Sequence, residues 1–256
     1  MMNFALNMTN FALKEWRAWG SMLAAAPRVP APLPATFTYD LVDIGREVLS
    51  QLTIPVAFNF TSALGIDTNA TLSAARIKTT GGLYIDLLHD LDTLLATDSA
   101  FLLGTWLQAA RKLGGNATDC TDTVLGDKLS KCSDFMEWNA RAQITTWHPT
   151  DSPTNPTPPE SNPAWPGGID DYARKQWAGL VGGYYAVRAE QYLEQALVDA
   201  NLGRGFNMME VLRRQAKVVY EWQTDVGNIG PTQPTGDLVG VSTELRAKYS
   251  PYFASC

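Results

Sequence analysis

Two stretches decide the architecture: Trp138-Asn-Ala-Arg-Ala-Gln-Ile-Thr-Thr-Trp147, and Ile169-Asp-Asp-Tyr172-Ala-Arg-Lys-Gln-Trp177-Ala-Gly-Leu-Val-Gly-Gly-Tyr-Tyr-Ala-Val-Arg188. In the first, Trp138 and Ile144 continue an apolar series begun by Leu129 and Phe135, which predicts a helix from about Val124 to Trp147. The second carries Trp177, Leu180, Val181, Tyr184, Tyr185, Tyr192 and Leu193 at helical intervals, which predicts a helix from Ile169 to about Asn201. Between them, Pro149 to Gly168 is dense in Pro, Ser, Thr and Asn, and leaves no room for a regular element. The picture is a helix, a long loop and a helix, with aromatic, amide and guanidinium side chains collected at the junction.

The same periodicity extends outward. Residues 3–25 read as an amphipathic helix on Phe4, Leu6, Phe11, Leu13, Trp16, Trp19 and Met22. Pro27, Pro30, Pro32 and Pro34 then stiffen a connector to about residue 36, because proline fixes its own φ and restricts the residue before it. A helix is expected from Tyr39 or Asp40, and Pro55 is placed to kink or end it. Thr71 to Ala96 is a clearer helix, with Gly81-Gly82 inside it to allow a close crossing. Asp98 or Ser99 is a plausible N-cap for a helix to about Leu113, ended by Gly114-Gly115. Phe206 to Val226 and Val241 to Tyr249 complete the series. No long alternating stretch and no fixed-period repeat is present. The expected fold is all-α, an irregular multi-helix bundle of about six to eight helices. Its divisions would be an N-terminal helix and connector, 1–36, and a helical domain, 37–256, with a loop insertion at 149–168.

A net charge of −6 without a basic stripe argues against nucleic-acid binding. No stretch reaches transmembrane length, so no membrane span is expected. His89 and His148 are far apart and form no zinc pattern with Cys120 and Cys132, so no metal and no cofactor are expected. Sequons at Asn7, Asn59, Asn69 and Asn116 are candidate N-glycosylation sites, and Cys120 and Cys132 are spaced for a local disulfide. Both features suit an extracytoplasmic compartment. The N-terminal apolar run near Ser21–Ala26 is broken by Lys14, Glu15 and Arg17, and no signal peptide is read there. The expectation is a natural protein that continues N-terminally.

Among polar residues, Asn139 and Gln143 lie four apart and project together, with Arg141 offset from them. They suit either a polar layer beside a sugar site or a helix packed on a polar neighbour. Trp147, where helix meets loop, could offer an indole face to a pyranose or fill a core. Tyr172 could add a hydroxyl. The carboxylates Glu137, Asp170, Asp171, Glu190, Glu194, Glu210 and Glu221 are candidates for acid–base work by type alone. Glu190 with Glu194, and Glu210 and Glu221 around Arg213-Arg214, equally suit a solvated face.

Taken together, Phe37-Thr-Tyr-Asp40-Leu-Val-Asp43, the run Leu91–Leu107, Asn139–Trp147, Asp171–Val181 and Tyr184-Tyr185 resemble the C-terminal helical region of the α-N-acetylglucosaminidases, glycoside hydrolase family 89. The resemblance spans about residues 37 to 250 and rests on the order of the segments. It implies hydrolysis of terminal α-linked N-acetylglucosamine with retention, by two glutamates on a preceding (β/α) barrel. It assigns no catalytic residue to this chain and implies that the chain alone is inactive. The implied role is to pack on the barrel and line its pocket. The family pattern there runs Trp, Gly-Pro, a short loop, Ile and Asp-Tyr, which Trp147, Ile169 and Tyr172 match. His148 stands where the glycine would be, and Thr150 to Pro166 is inserted. Asn139, Arg141, Gln143 and His148 would form a layer behind the pocket. The alternative is a non-catalytic carbohydrate-binding or protein-interaction domain.

Overall fold

The computed structural model describes residues 10–65, 72–116, 131–145 and 175–254. Among these it is all-α: α1 (Asn10–Ala25), α2 (Ala35–Ala63), α3 (Ala74–Leu95), α4 (Leu103–Gly114), α5 (Cys132–Gln143), α6 (Val187–Asn201), α7 (Met208–Thr224) and α8 (Leu238–Phe253). α1, α2, α3 and α8 share the main core, built on Trp19, Leu41, Leu49, Leu91 and Tyr249. α1 is fastened to α8 through Trp16, which stacks on Phe253 at 4.2 Å and lies under the Arg246 guanidinium at 3.9 Å. A second cluster, with Leu103, Leu107, Ala140, Ile144, Leu180, Tyr184 and Val219, joins α4, α5, α7 and the segment before α6.

Helix boundaries depart from the sequence pattern where packing outweighs local preference. α2 starts at Ala35, directly after Pro34, and runs through Pro55 to Ala63. An interior proline costs about 3 kcal/mol. Burial of Val48, Leu49, Leu52, Val56 and Phe60 on the same helix offsets this, at roughly 1.5–3 kcal/mol for each large apolar side chain. The expected close crossing at Gly81 is present: a Cβ there would sit 2.8 Å from both Leu193 Cδ1 and the Phe60 ring, on neighbouring helices. Asp98 does act as a cap. Its carboxylate accepts from Ala100 N at 2.9 Å and from Thr38 Oγ1 at 2.8 Å, ahead of a short 3-10 turn, and α4 begins only at Leu103.

The largest departure lies just before α6. The expected continuous helix is absent at residues 175–177. Ala178 pairs with the chain before α4, donating to Phe101 O at 2.8 Å and accepting from Leu103 N at 3.1 Å. Gly179 then takes φ +90°, and a π-helical segment (Val181–Ala186) leads into α6. Apolar residues at helical spacing are thus used by a turn that swings Trp177 and Leu180 into the second core.

Two glycines test the packing. At Gly104 a Cβ would lie 2.2 Å from the Pro231 carbonyl oxygen, whereas at Gly82 nothing is within 4 Å. Gly104→Ala is expected to destabilise by about 1–3 kcal/mol. Gly82→Ala is expected to stabilise by about 0.5–1 kcal/mol through helix propensity. Urea unfolding midpoints of the two variants check the opposite signs.

Candidate functional site: the α4–α5 junction and the anchors of segment 146–174

The junction is built around Glu137, which is fully buried. Its Oε2 accepts from Arg111 Nη1 at 2.5 Å and from Gly227 N at 2.8 Å, and its Oε1 accepts from Arg141 Nε at 2.9 Å. Arg141 extends across to α7 and the turn after it, donating to Trp222 O at 3.1 Å and Asn228 O at 2.9 Å, with its guanidinium over the Trp222 ring. Arg111 also reaches Asp134 at 2.8 Å. Burial by itself would lower the Arg111 pKa, but the Glu137 and Asp134 carboxylates outweigh it and hold the guanidinium charged above its ordinary range. Charges this deep are tolerated because nearly every polar atom finds a charge-assisted partner.

This frame holds the α5 edge of segment 146–174, and residues of α2 and α3 hold the other. On the α5 side, Thr145 is fully buried, donates to Arg141 O at 2.7 Å and accepts from Gln223 Nε2 at 3.0 Å. On the other side, Gln176 Oε1 accepts from Arg46 Nη1 at 2.7 Å and Ser50 Oγ at 3.0 Å, both on α2. Trp177 lies against Trp106 with ring centroids 5.7 Å apart. Asp92 Oδ1 then accepts from the backbone N–H groups of Gly179 and Gly182, each at 2.7 Å. A Cβ at Gly182 would fall 2.8 Å from the Asp92 carboxyl carbon, so glycine is what lets the carboxylate reach the turn. Burial pushes the Asp92 pKa up, against the lowering effect of the two backbone donors.

Beside these anchors is a groove of about 250 Å³ between α4 and α5, lined by Trp106, Ala109, Ala110, Leu113, Met136, Asn139, Ala140 and Gln143. Asn139 and Gln143 face it together, as their spacing predicts. Arg141 points away from the groove into the Glu137 cluster.

Trp147, His148, Ile169, Tyr172, Cys120, Asn7 and Asn69 lie outside the described residues, as do Asp170 and Asp171. Cys132 is disulfide-bonded; Cys120 and Cys256 are both outside the described residues. Asn116 is exposed in the turn after α4, and Asn59 is half-buried within α2. Among the described residues no acidic, His and Cys cluster could hold a metal ion, and no helix is long and apolar enough to cross a membrane.

The surface carboxylates are engaged as ordinary partners. Glu190 approaches His89 at 3.4 Å, Glu194 approaches Arg214 at 3.6 Å, and Glu210 bridges Arg213 and Arg214. Glu221 and Asp225 border an open pocket, yet Glu221 faces Lys217 at 3.7 Å and Asp225 accepts from Asn228 at 2.9 Å. Sequence reasoning missed Glu137 as a buried hub and Asp92 as an anchor. The available signal for the first was a Glu and an Arg four apart on a helix of otherwise apolar inward positions.

The model of the α-N-acetylglucosaminidase (NAGLU) C-terminal domain matches residues 10–248. The chain belongs to this family. Human α-N-acetylglucosaminidase is 33% identical to it over 242 residues, which are 92% of this chain and 27% of the human protein. The chain therefore spans little more than a quarter of that relative. A family 89 glycoside hydrolase from Clostridium perfringens, solved with 2-acetamido-1,2-dideoxynojirmycin, shares the fold with TM-score 0.67 at 21% identity, over 91% of this chain and 23% of that one. The Clostridium perfringens enzyme in complex with GlcNAc-alpha-1,4-galactose superposes with TM-score 0.60 at 23% identity, over 83% of this chain and 21% of that one.

Glu137→Ala leaves the buried Arg141 guanidinium, the partly exposed Arg111 guanidinium and Gly227 N–H without this acceptor, and is expected to cost about 3–5 kcal/mol in urea unfolding. Asp92 supplies a pH test. Its folded pKa lies above the ordinary 3.8, so the native state binds its proton more firmly than the unfolded chain. The stability it contributes is complete below pH 3.8 and is lost as pH rises through the higher folded value. Asp92→Asn keeps the acceptor oxygen and removes the titration, and should flatten the fall in melting temperature across that window.

Proposed function

We propose that this chain is the helical C-terminal domain of an α-N-acetylglucosaminidase, and that it packs on a (β/α) barrel carrying the catalytic glutamates. The observation that carries this reading is the family match across residues 10–248, within which the residues flanking segment 146–174 are held by side-chain hydrogen bonds. Trp147, Ile169 and Tyr172 line the pocket for a terminal α-linked N-acetylglucosamine. The indole of Trp147 offers an apolar face to the pyranose, and Tyr172 offers a hydroxyl. His148 and, through its bond to Thr145, Arg141 support them, while Asn139 and Gln143 face the groove between α4 and α5.

In the whole protein, one barrel glutamate attacks the anomeric carbon as the other protonates the leaving oxygen. Water then releases the sugar from the covalent intermediate with its configuration retained. The helical domain contributes orientation and exclusion of water, which lower the barrier by fixing the sugar before attack. The disulfide at Cys132 and the sequons at Asn7, Asn59, Asn69 and Asn116 support an extracytoplasmic location.

The 256-residue chain alone should release no 4-nitrophenol from 4-nitrophenyl α-N-acetylglucosaminide; turnover by the pure chain overturns this reading. In the barrel-containing protein, Trp147→Ala and Tyr172→Phe should each lower kcat/KM by about tenfold or more, corresponding to about 1.4 kcal/mol. Wild-type kinetics in both variants would remove these residues from the pocket.

A further inference from the structure

We infer that the groove between α4 and α5 is a binding pocket for a single N-acetylhexosamine ring, formed by this chain's own Trp106, Met136, Asn139 and Gln143. The inference rests on the functional reading above for the class of glycan the protein meets.

Three features point to this ligand. First, the groove has a flat aromatic wall. Trp106 is 39% exposed and lines the groove, with its ring 5.7 Å from that of Trp177, which packs against the second core. An indole held in this way presents a face on which the C–H surface of a pyranose can stack. Second, Asn139 and Gln143 lie one turn apart on α5, both face the groove, and neither has a hydrogen-bond partner among the described residues. A primary amide carries both an acceptor and donors. An acetamido group carries one N–H and one C=O, so the two amides can satisfy it in both directions. Third, the remaining wall of Ala109, Ala110, Leu113, Met136 and Ala140 is apolar and suits the acetyl methyl group.

Size limits the occupant. At about 250 Å³ the groove falls below the roughly 300–1,000 Å³ of pockets that enclose drug-sized ligands, a size that suits one ring. The frame is rigid on both sides. Gly114 closes α4 onto the Cys132 backbone, where a Cβ would lie 2.3 Å away, and Glu137 ties α5 to Arg111 of α4. The ring would therefore enter a preformed site.

The test titrates N-acetylglucosamine, with glucose as the control lacking the acetamido group, into the 256-residue chain. Side-chain amide resonances of Asn139 and Gln143 and tryptophan fluorescence report binding. Saturable shifts of both amides are expected, with a dissociation constant on the order of 1 mM and glucose at least tenfold weaker. Asn139→Leu and Gln143→Leu, on half-exposed positions, should each weaken binding at least fivefold with unchanged circular dichroism. The amide shifts give the same answer without any variant. Equal affinity for glucose, or the absence of any shift in the two amides at saturating sugar, overturns the inference. So does binding that is abolished by Trp147→Ala and untouched by Gln143→Leu, since the sugar would then sit on segment 146–174. That last outcome leaves the functional reading standing. Turnover by the pure chain would instead remove the reading and leave the amide shifts as an independent measurement.

Discussion

A carboxylate with no access to water sets the geometry of half of this domain. Glu137 is acceptable in the interior only because Arg111, Arg141 and the Gly227 amide supply donors, and those donors come from α4, α5 and the turn beyond α7. Removing any one of them would leave charge unmatched in a low-dielectric setting, so the three elements have little freedom to slide. Apolar packing in the second cluster supplies cohesion, and the ion pairs supply register. Arg141 makes the point: it satisfies two backbone carbonyls near the end of α7 as well as Glu137.

A second polar anchor works on the opposite side. Asp92, on α3, collects two backbone N–H groups from the tight turn Gly179–Gly182, and Arg46 and Ser50 of α2 hold Gln176 just ahead of it. The residues on either side of segment 146–174 are thus held by separate sets of hydrogen bonds. The cost is local: the chain gives up helical hydrogen bonds around residues 175–180, uses glycine at a positive φ, and enters α6 through a π-helical segment.

Much of the helical layout was legible in the chain. α3, α4 and α7 follow the three- and four-residue spacing of their apolar residues, and Gly114-Gly115 ends α4 as its type predicts. The shared direction of Asn139 and Gln143 follows from their separation alone, and they do line one groove. The continuation of α2 through Pro55 was not legible, because it depends on what the far half of the helix buries. Nor was the break before α6. Trp177, Leu180, Val181 and Tyr184 keep helical spacing while the backbone at Lys175–Leu180 does not, since the pairing partner of Ala178 lies some seventy residues earlier, at Phe101–Leu103.

By itself the sequence determined the all-α class, most helix positions, the family and the residue types available to meet a sugar. These are local or additive properties: periodicity, caps, breakers and the order of short segments. Tertiary structure alone decided which polar residues became the frame and which line the α4–α5 groove. Glu137, Asn139, Arg141 and Gln143 sit on one helix within seven residues. Glu137 and Arg141 face α4 and α7 and are consumed by each other; Asn139 and Gln143 face the groove and are not. The reason is geometric: a helix turns about 100° per residue, so neighbours in sequence meet different surroundings, and only the packed neighbours define those surroundings.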